Sequence, residues 1–399
     1  MAICATTGMV VILSYQLYDV ARQDYGMSIA QASLQLGLLG LAQFVPLFLL
    51  TPVAGVLADQ FDRRYVAAFA IGVDLVVALV LAWATQAHAL TLPLLYSLGV
   101  AHGMARVFFG PAASAIAPKL VPVALLPKAV AINSMAMQAG IVLGPAGAGL
   151  LFGAHASLPY WLASAFLLVA VLGLVSLRPM PALASNRAAH PFRLVGEGFS
   201  YVRNNHFLLG CISLDLFAVL LAGATALLPV YARDILHVGP AGLGQMRAAP
   251  AIGAALCGLL LAVRPLQKNV GTKMLWAVAV FGLATVIFGL SRNYALSLAM
   301  LVVLGAADMI SMFVRGTLVQ LHTPDDKRGR VSAISGLAIS ASNELGEMES
   351  GVAAALLGAT GAVVFGGVGA IVITGIWAWK FPQIRQARTF APQNDMETR

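Results

Sequence analysis

Charge is scarce in this sequence. Only 10% of its 399 residues are Asp, Glu, Lys or Arg, where a soluble domain carries about 25%. That deficit argues against two or three water-soluble domains, the ordinary expectation for this length. Cysteine is scarcer still. Cys4, Cys211 and Cys257 lie in apolar stretches with no paired spacing, so they read as small hydrophobes in packing, not as a disulfide framework or redox motif. The seven histidines show no metal-ligand spacing and no nucleophile motif appears, so neither a metal, a cofactor nor an enzyme is expected. The glycine-rich "GPAGAGLLFG" lacks the Gly-Lys-Ser/Thr of a Walker loop, which argues against ATP-driven work within this chain. A sequence pI of about 9.6 raises nucleic acid as a partner, but the basic residues are scattered through short loops instead of forming a stripe.

What is abundant is apolar surface: 60% of residues are hydrophobic and the mean hydropathy is +0.87. In lipid, backbone groups have no water to bond, so long apolar runs from end to end read as a bundle of membrane helices. Cutting at polar loops gives twelve spans, near residues 3–20, 32–57, 65–86, 91–115, 129–153, 159–177, 207–229, 241–263, 273–290, 294–319, 331–357 and 361–381. The opening residues lack a basic n-region and lead straight into further spans, so a cleaved secretory signal is not expected.

With both termini placed in the cytoplasm, eighteen Lys and Arg residues fall on that side and three (Arg22, Arg233, Arg292) on the other, while Arg106, Arg247 and Arg315 stay within spans. This is the asymmetry of the positive-inside rule and predicts a multi-pass protein of the cell inner membrane. The stretch 178–206, "RPMPALASNRAAHPFR" included, divides the chain into two groups of six spans. The expected organisation is a half at 1–177, a cytoplasmic central loop at 178–206, a half at 207–381 and a cytoplasmic tail at 382–399. Sliding the chain by 202 residues pairs Gly37 with Gly239, Gly40 with Gly242, Gln43 with Gln245, Gly103 with Gly305, Gly144 with Gly346 and Gly149 with Gly351. One gapless offset serving separate loops and helices points to an internal duplication.

Between spans two and three stands "GVLADQFDRR", the densest charge cluster within the first half. Through Gly55, Asp59, Arg63 and Arg64 it resembles the signature loop of the major facilitator superfamily, although Gln60 and Asp62 replace the usual basic residue and glycine. "ARVFFGPA" resembles that superfamily's helix 4 motif through Arg106 and Gly110. "GIVLGPAGAG" resembles its exporter-type helix 5 motif through Gly140, Gly144, Pro145 and Gly149, with Ala148 in place of one glycine; these small residues are expected to let helices pack closely. "DMISMFVRGTLVQLHTPDDKRGRVSA" and "SNELGEMESG" look like the branch that contains the enterobactin exporter and macrolide efflux pumps. The resemblance implies an all-α integral membrane fold of twelve helices in two pseudo-symmetric six-helix halves. It also implies a cytoplasmic gate, in which Asp59 meets the start of helix 11 near Arg328 and Arg330. The plain alternative makes Arg63 and Arg64 topology anchors with Asp59 and Asp62 as neutralisers.

An ionisable side chain at bilayer depth is costly and therefore a functional candidate. Asp74, Arg106, Asp215, Arg247, Asp308, Arg315, Glu344 and Glu347 form the expected proton and substrate pathway. Asp74 and Arg106 sit at depths that allow a pair, structural or coupling. The offset places Asp308 at the position of Arg106 in the other half, and Asp308 and Arg315, seven apart, share a helix face at too great a separation for contact. Glu344 and Glu347 share one face of helix 11, where two carboxylates in low dielectric do not both ionise easily. The reading is a monomeric secondary transporter coupling proton entry to efflux of a small, siderophore- or drug-like molecule. An uptake symporter and a non-transporting receptor or assembly protein remain the alternatives.

Overall fold

The computed structural model describes residues 1–120, 122, 125–179 and 191–390, with some side chains, those of residues 55–59 among them, outside the description. Among the described residues, eleven helical stretches are long and apolar enough to cross a membrane. The last, Asp325–Lys380, contains a non-helical residue, Gly358, at φ 75° and ψ 162°, a conformation that glycine adopts without a Cβ penalty. Gly346 packs on the backbone of Val219 and Leu220, and Gly366, on the other side of the break, on that of the adjacent Leu221 and Ala222, so the chain doubles back at Gly358 and this stretch contributes two spans, 325–357 and 359–380. The spans among the described residues therefore number twelve.

In chain order the helices are α1 (Ala2–Gln23), α2 (Ile29–Gln60), α3 (Arg63–Gln86), α4 (Leu92–Leu120), α5 (Leu126–Ala154), α6 (Leu158–Ser176), α7 (Pro191–Asn204), α8 (His206–Leu221), α9 (Leu228–Val230), α10 (Gly239–Val263), α11 (Val270–Leu290), α12 (Tyr294–Leu321), α13 (Asp325–Lys380) and α14 (Pro382–Gln386). A 3₁₀ turn at Ala224–Leu227 precedes α9 and a π turn at Tyr231–Ile235 follows it. Side-chain caps mark several starts. Asp62 accepts from the Arg64 N–H before α3, Asn205 from Phe207 and Leu208 before α8, and Asn293 from Leu296 before α12.

The chain forms two compact units. The first comprises Met1–Ala188 with Leu228–Ala248. Within it α1 packs on α5, α2 on α4, and α3 on both α4 and α6. The second comprises Ala189–Leu227 with Ala249–Arg399; there α8 and α11 pack on α13, and α11 on α12. Large apolar side chains such as Phe69, Trp276, Leu356 and Trp379 stand exposed on the helices, the surface expected where lipid, not water, is the solvent.

The offset of 202 carries Leu92 to Tyr294 and Leu120 to His322, and α12 is Tyr294–Leu321. The glycines follow it too. A Cβ on Gly103 of α4 would lie 2.6 Å from the Gln43 carbonyl of α2, and its counterpart Gly305 of α12 lies against Pro250 of α10. Gly144 of α5 seats on Cys4 and Thr7 of α1; Gly346 of α13 seats on Val219 and Leu220 of α8. Each unit thus makes close helix approaches at these matching positions.

Two segments differ from the sequence reading. The stretch 178–206, read as a loop, contains α7, whose sequence alternates apolar and charged residues at helical spacing and whose Val202 is buried. The tail from 382 is folded as far as residue 390: α14 buries Ile384, and the Ala387 carbonyl accepts from the Gly271 N–H of α11 at 3.0 Å. Residues 391–399 lie outside the description.

Candidate functional site

Helices α8 and α12 bring the most concentrated buried charge into one place. Asp215 of α8 and Arg315 of α12 form an ion pair with side chains only 9% and 6% exposed. Asp308, two turns before Arg315 on α12, lies within electrostatic range of both. The cluster thus holds two carboxylates and one guanidinium, an uneven set in which one carboxylate is not neutralised by a full partner. Chemically it can hold a proton, or receive a cationic group or a polar donor from a bound molecule. All three are pathway candidates in the sequence, but nothing there pairs them, because Asp215 and Arg315 stand 100 residues apart. On α13, Glu344 is buried at 6% exposure and Glu347 is half-buried, so the two differ in environment although they share a face.

The expected Asp74–Arg106 pair is corrected. Asp74 of α3 faces His102 of α4, with Nδ1 and Oδ1 2.8 Å apart and both residues buried. Arg106 is one turn further along α4 and exposed. A residue four earlier shares the same face of the helix, so depth arguments did not separate the two. His102 carried no motif, and only its position at bilayer depth marked it. Arg247, on the part of α10 that belongs to the first unit, is half-buried.

Around the signature loop, Arg64 Nε bonds Asp62 Oδ2 at 2.9 Å and its Nη1 donates to the Leu177 carbonyl at 2.6 Å. It therefore ties the α2–α3 turn to the C-terminus of α6, where a cation is favoured by the helix dipole. Arg63, beside it, opens α3 and is half-buried. Gly55 and the Asp59 side chain, both expected at the gate, lie outside the description. Their expected basic partners are engaged within the second unit. Arg328 pairs with Asp325 at 2.7 Å, and Arg330 pairs with Glu197 of α7 at 3.1 Å. Lys327 stands 4.4 Å over the Tyr201 ring, and Gly198 seats on the Arg330 backbone, so α7 clamps the start of α13 from three positions.

The small residues of α5 divide. Gly140 and Gly144 face α1, and Gly149 faces Pro240 and Gly244 of α10, with Gly244 in turn against the Pro145 carbonyl. Gly110 of α4 is exposed, and a Cβ there would meet nothing, so its expected packing role is corrected.

Comparison with known proteins places this geometry in context. Enterobactin exporters EntS of Citrobacter koseri and of Escherichia coli O1:K1 are each 28% identical over 332 residues, covering 83% of this chain and 77% of theirs. Among solved structures, an inward-facing, occupied bacterial homolog of the human lysosomal transporter Spinster superposes with a TM-score of 0.72 at 15% identity, covering 96% of this chain and 97% of its own. The inward-open xylose transporter XylE of E. coli gives 0.69 at 13% identity, covering 95% and 94%. The family model of the Major Facilitator Superfamily matches residues 1–347. Twelve apolar helices, two glycine-matched units and that match make this chain a multi-pass membrane transporter, not an enzyme, and a member of the Major Facilitator Superfamily.

Proposed function

We propose that the protein exports a small organic molecule, siderophore- or drug-like, in exchange for protons. It does so by alternating access of two six-helix halves, 1–177 and 207–381, as a monomer in the inner membrane with both termini cytoplasmic. The observation that carries this reading is the buried Asp215–Arg315 pair with Asp308 beside it. A scaffold gains little from an uneven charge cluster at bilayer depth, whereas a carrier that must load and release a proton needs a carboxylate without a full-time cation. Similarity to enterobactin exporters and the Gly144–Pro145 motif of α5 support the outward direction.

In this reading Arg315 alternates between its two acidic neighbours. With Asp308 protonated, the guanidinium stays with Asp215. When Asp308 ionises, the cation is shared and the cavity face becomes more anionic, which favours release of an anionic cargo or entry of a cationic one. Glu344 and Glu347 supply a second proton station on α13, and Arg106 and Arg247 offer cations to the cargo. The cytoplasmic gating residues of this reading are Asp59, Arg63 and Arg64 of the first unit and Arg328 and Arg330 of the second. Purified protein in liposomes under an imposed pH gradient, assayed with a panel of catecholate siderophores, macrolides and lipids, tests the reading. Substrate-induced proton movement that disappears in Asp308→Asn supports it. Accumulation of substrate that is indifferent to the gradient overturns the proton coupling.

A further inference from the structure

A hollow opens in the second unit at the membrane face where α8 begins, α12 ends and α13 begins, and the transport pathway makes no use of it. Its volume is about 960 Å³, within the range of sites that hold small molecules. Three corners of the chain wall it: 204–207, where α7 turns into α8; 321–328, where α12 turns into α13; and 383–389, from α14 onward. Each corner is held by bonds of its own. Asn205 Oδ1 accepts from the Phe207 and Leu208 N–H groups, both at 3.1 Å. His322 Nδ1 donates to the Leu318 carbonyl at 2.9 Å, and its ring lies 4.5 Å from that of Phe207, so the first corner rests on the second. The third is tied to α11, whose Gly271 N–H donates to the Ala387 carbonyl at 3.0 Å and whose Thr272 hydroxyl donates to the Arg385 carbonyl at 3.2 Å. The hollow is therefore pre-formed, and a ligand entering it has little chain to order.

Its lining is uneven in charge. Arg328 and Arg388, both exposed, face a single lining carboxylate, Asp325, which Arg328 already holds at 2.7 Å. The Arg388 guanidinium makes no hydrogen bond or ion pair among the described residues, so one whole cation is left over. Neutral groups are left over as well. With its oxygen spent on capping α8, Asn205 keeps its NH₂, and Gln383, Gln386 and Thr389 add further donors and acceptors. Guanidinium forks from two separate corners suit a phosphate, whose oxygens accept paired N–H groups. A bare phosphate would leave most of the volume unused, whereas the amides and the Thr389 hydroxyl can bond hydroxyl groups attached to it. Phe207 and Leu321 give the hollow an apolar side. Since spans begin and end around it, it stands at the level where lipid headgroups lie.

We infer that this hollow is a binding site for a hydroxyl-bearing phosphate ester of the glycerol phosphate type, held between Arg328 and Arg388. Such a group reaches it from two sources: the headgroup of an anionic phospholipid in the adjoining leaflet, or a soluble organic phosphate. Bound there, it joins the start of α13 to the segment after α14 and so braces the ends of α8, α12 and α13 against one another. The inference needs neither the cargo nor proton coupling.

The test uses the full chain, delipidated in a neutral detergent, with phosphatidylglycerol, phosphatidylcholine and glycerol phosphate as probes. Lipid bound per chain is read by native mass spectrometry, and binding of the soluble probe as a rise in melting temperature. Phosphatidylglycerol should bind in preference to phosphatidylcholine, and Arg388→Gln and Arg328→Gln should each weaken it about threefold to tenfold, a modest loss because the hollow is open to solvent. Arg388→Lys, which keeps the charge and loses the fork, should fall between parent and Arg388→Gln. Arg264→Gln and Lys380→Gln remove exposed cations at the same membrane face outside the hollow, and should leave binding within about twofold of the parent. Glycerol phosphate separates the sources. A rise in melting temperature that Arg388→Gln abolishes assigns the soluble phosphate, and arginine-dependent lipid binding without such a rise assigns the headgroup. Arg388→Gln decides alone should Arg328→Gln, which unpairs Asp325, fold poorly. If neither probe depends on Arg388 more than on Arg264 and Lys380, the site is overturned.

Discussion

Replacing Asp215 by Asn leaves Arg315 buried at 6% side-chain exposure without its carboxylate. Removing one member of a buried ion pair generally costs about 3–5 kcal/mol, since the remaining charge keeps its desolvation penalty. Here Asp308 lies within range of Arg315 and can take over part of the compensation, which moves the expected loss to the lower end, about 3 kcal/mol. At roughly 2 °C per kcal/mol for a large domain, the melting temperature in detergent should fall by about 6 °C. The double variant Asp215→Asn with Asp308→Asn should fall further than the two singles add, because each carboxylate is the other's substitute. Asp215→Leu with Arg315→Met, which removes the pair in favour of apolar packing, should recover most of the loss in stability and should not restore transport. The assay is thermal unfolding of purified protein, with transport measured at equal abundance. An Asp215→Asn melting temperature equal to the parent's, or strictly additive effects of the two Asn substitutions, refutes the shared-cation reasoning.

Arg64→Ala removes the donor to the Leu177 carbonyl, and should destabilise the α6 terminus by about 1 kcal/mol, read as faster proteolysis after residue 177. Gly144→Val places a branched side chain against Cys4 and Thr7 of α1, so it should lower the yield of folded protein sharply, whereas Gly110→Val, facing open space, should not. Burial pushes the His322 imidazole below its ordinary value, opposed in part by its bond to the Leu318 carbonyl. The folded protein therefore binds that proton less readily than the unfolded chain, and stability should fall as pH drops through about 6.5. His322→Gln should lessen that loss in melting curves taken at about pH 7.5 and about pH 5.5.

The spans were readable because each is a continuous apolar run bounded by charge, and even the one-residue break at Gly358 falls between two of them. The close helix contacts were partly readable through repeated glycines, with Gly103 and Gly144 mirrored by Gly305 and Gly346. Pairing was not readable. Asp215 finds Arg315 across α8 and α12, and Asp74 finds His102 in place of Arg106, because depth limits partners to a level in the membrane and leaves the facing direction open. A charge quartet at the end of α1 escaped for another reason. Arg22 and Arg233 read as topology signals in the sequence, although the Asp19–Arg22 spacing and the adjacent Arg233–Asp234 in reverse order carry the Asp19–Arg233 and Arg22–Asp234 ion pairs. Helix α7 was hidden by its short length and by the polar stretch before it.

The reversal at Gly358 has a bearing on how the chain is made. A single residue joins spans 325–357 and 359–380, too little backbone to leave a translocating segment waiting on the far side of the membrane. The two must enter the bilayer together as a hairpin, and the ribosome must have finished both before either is secure. A reporter domain fused after residue 357 would strand the first arm without its mate, while one fused after residue 390 would meet a completed pair.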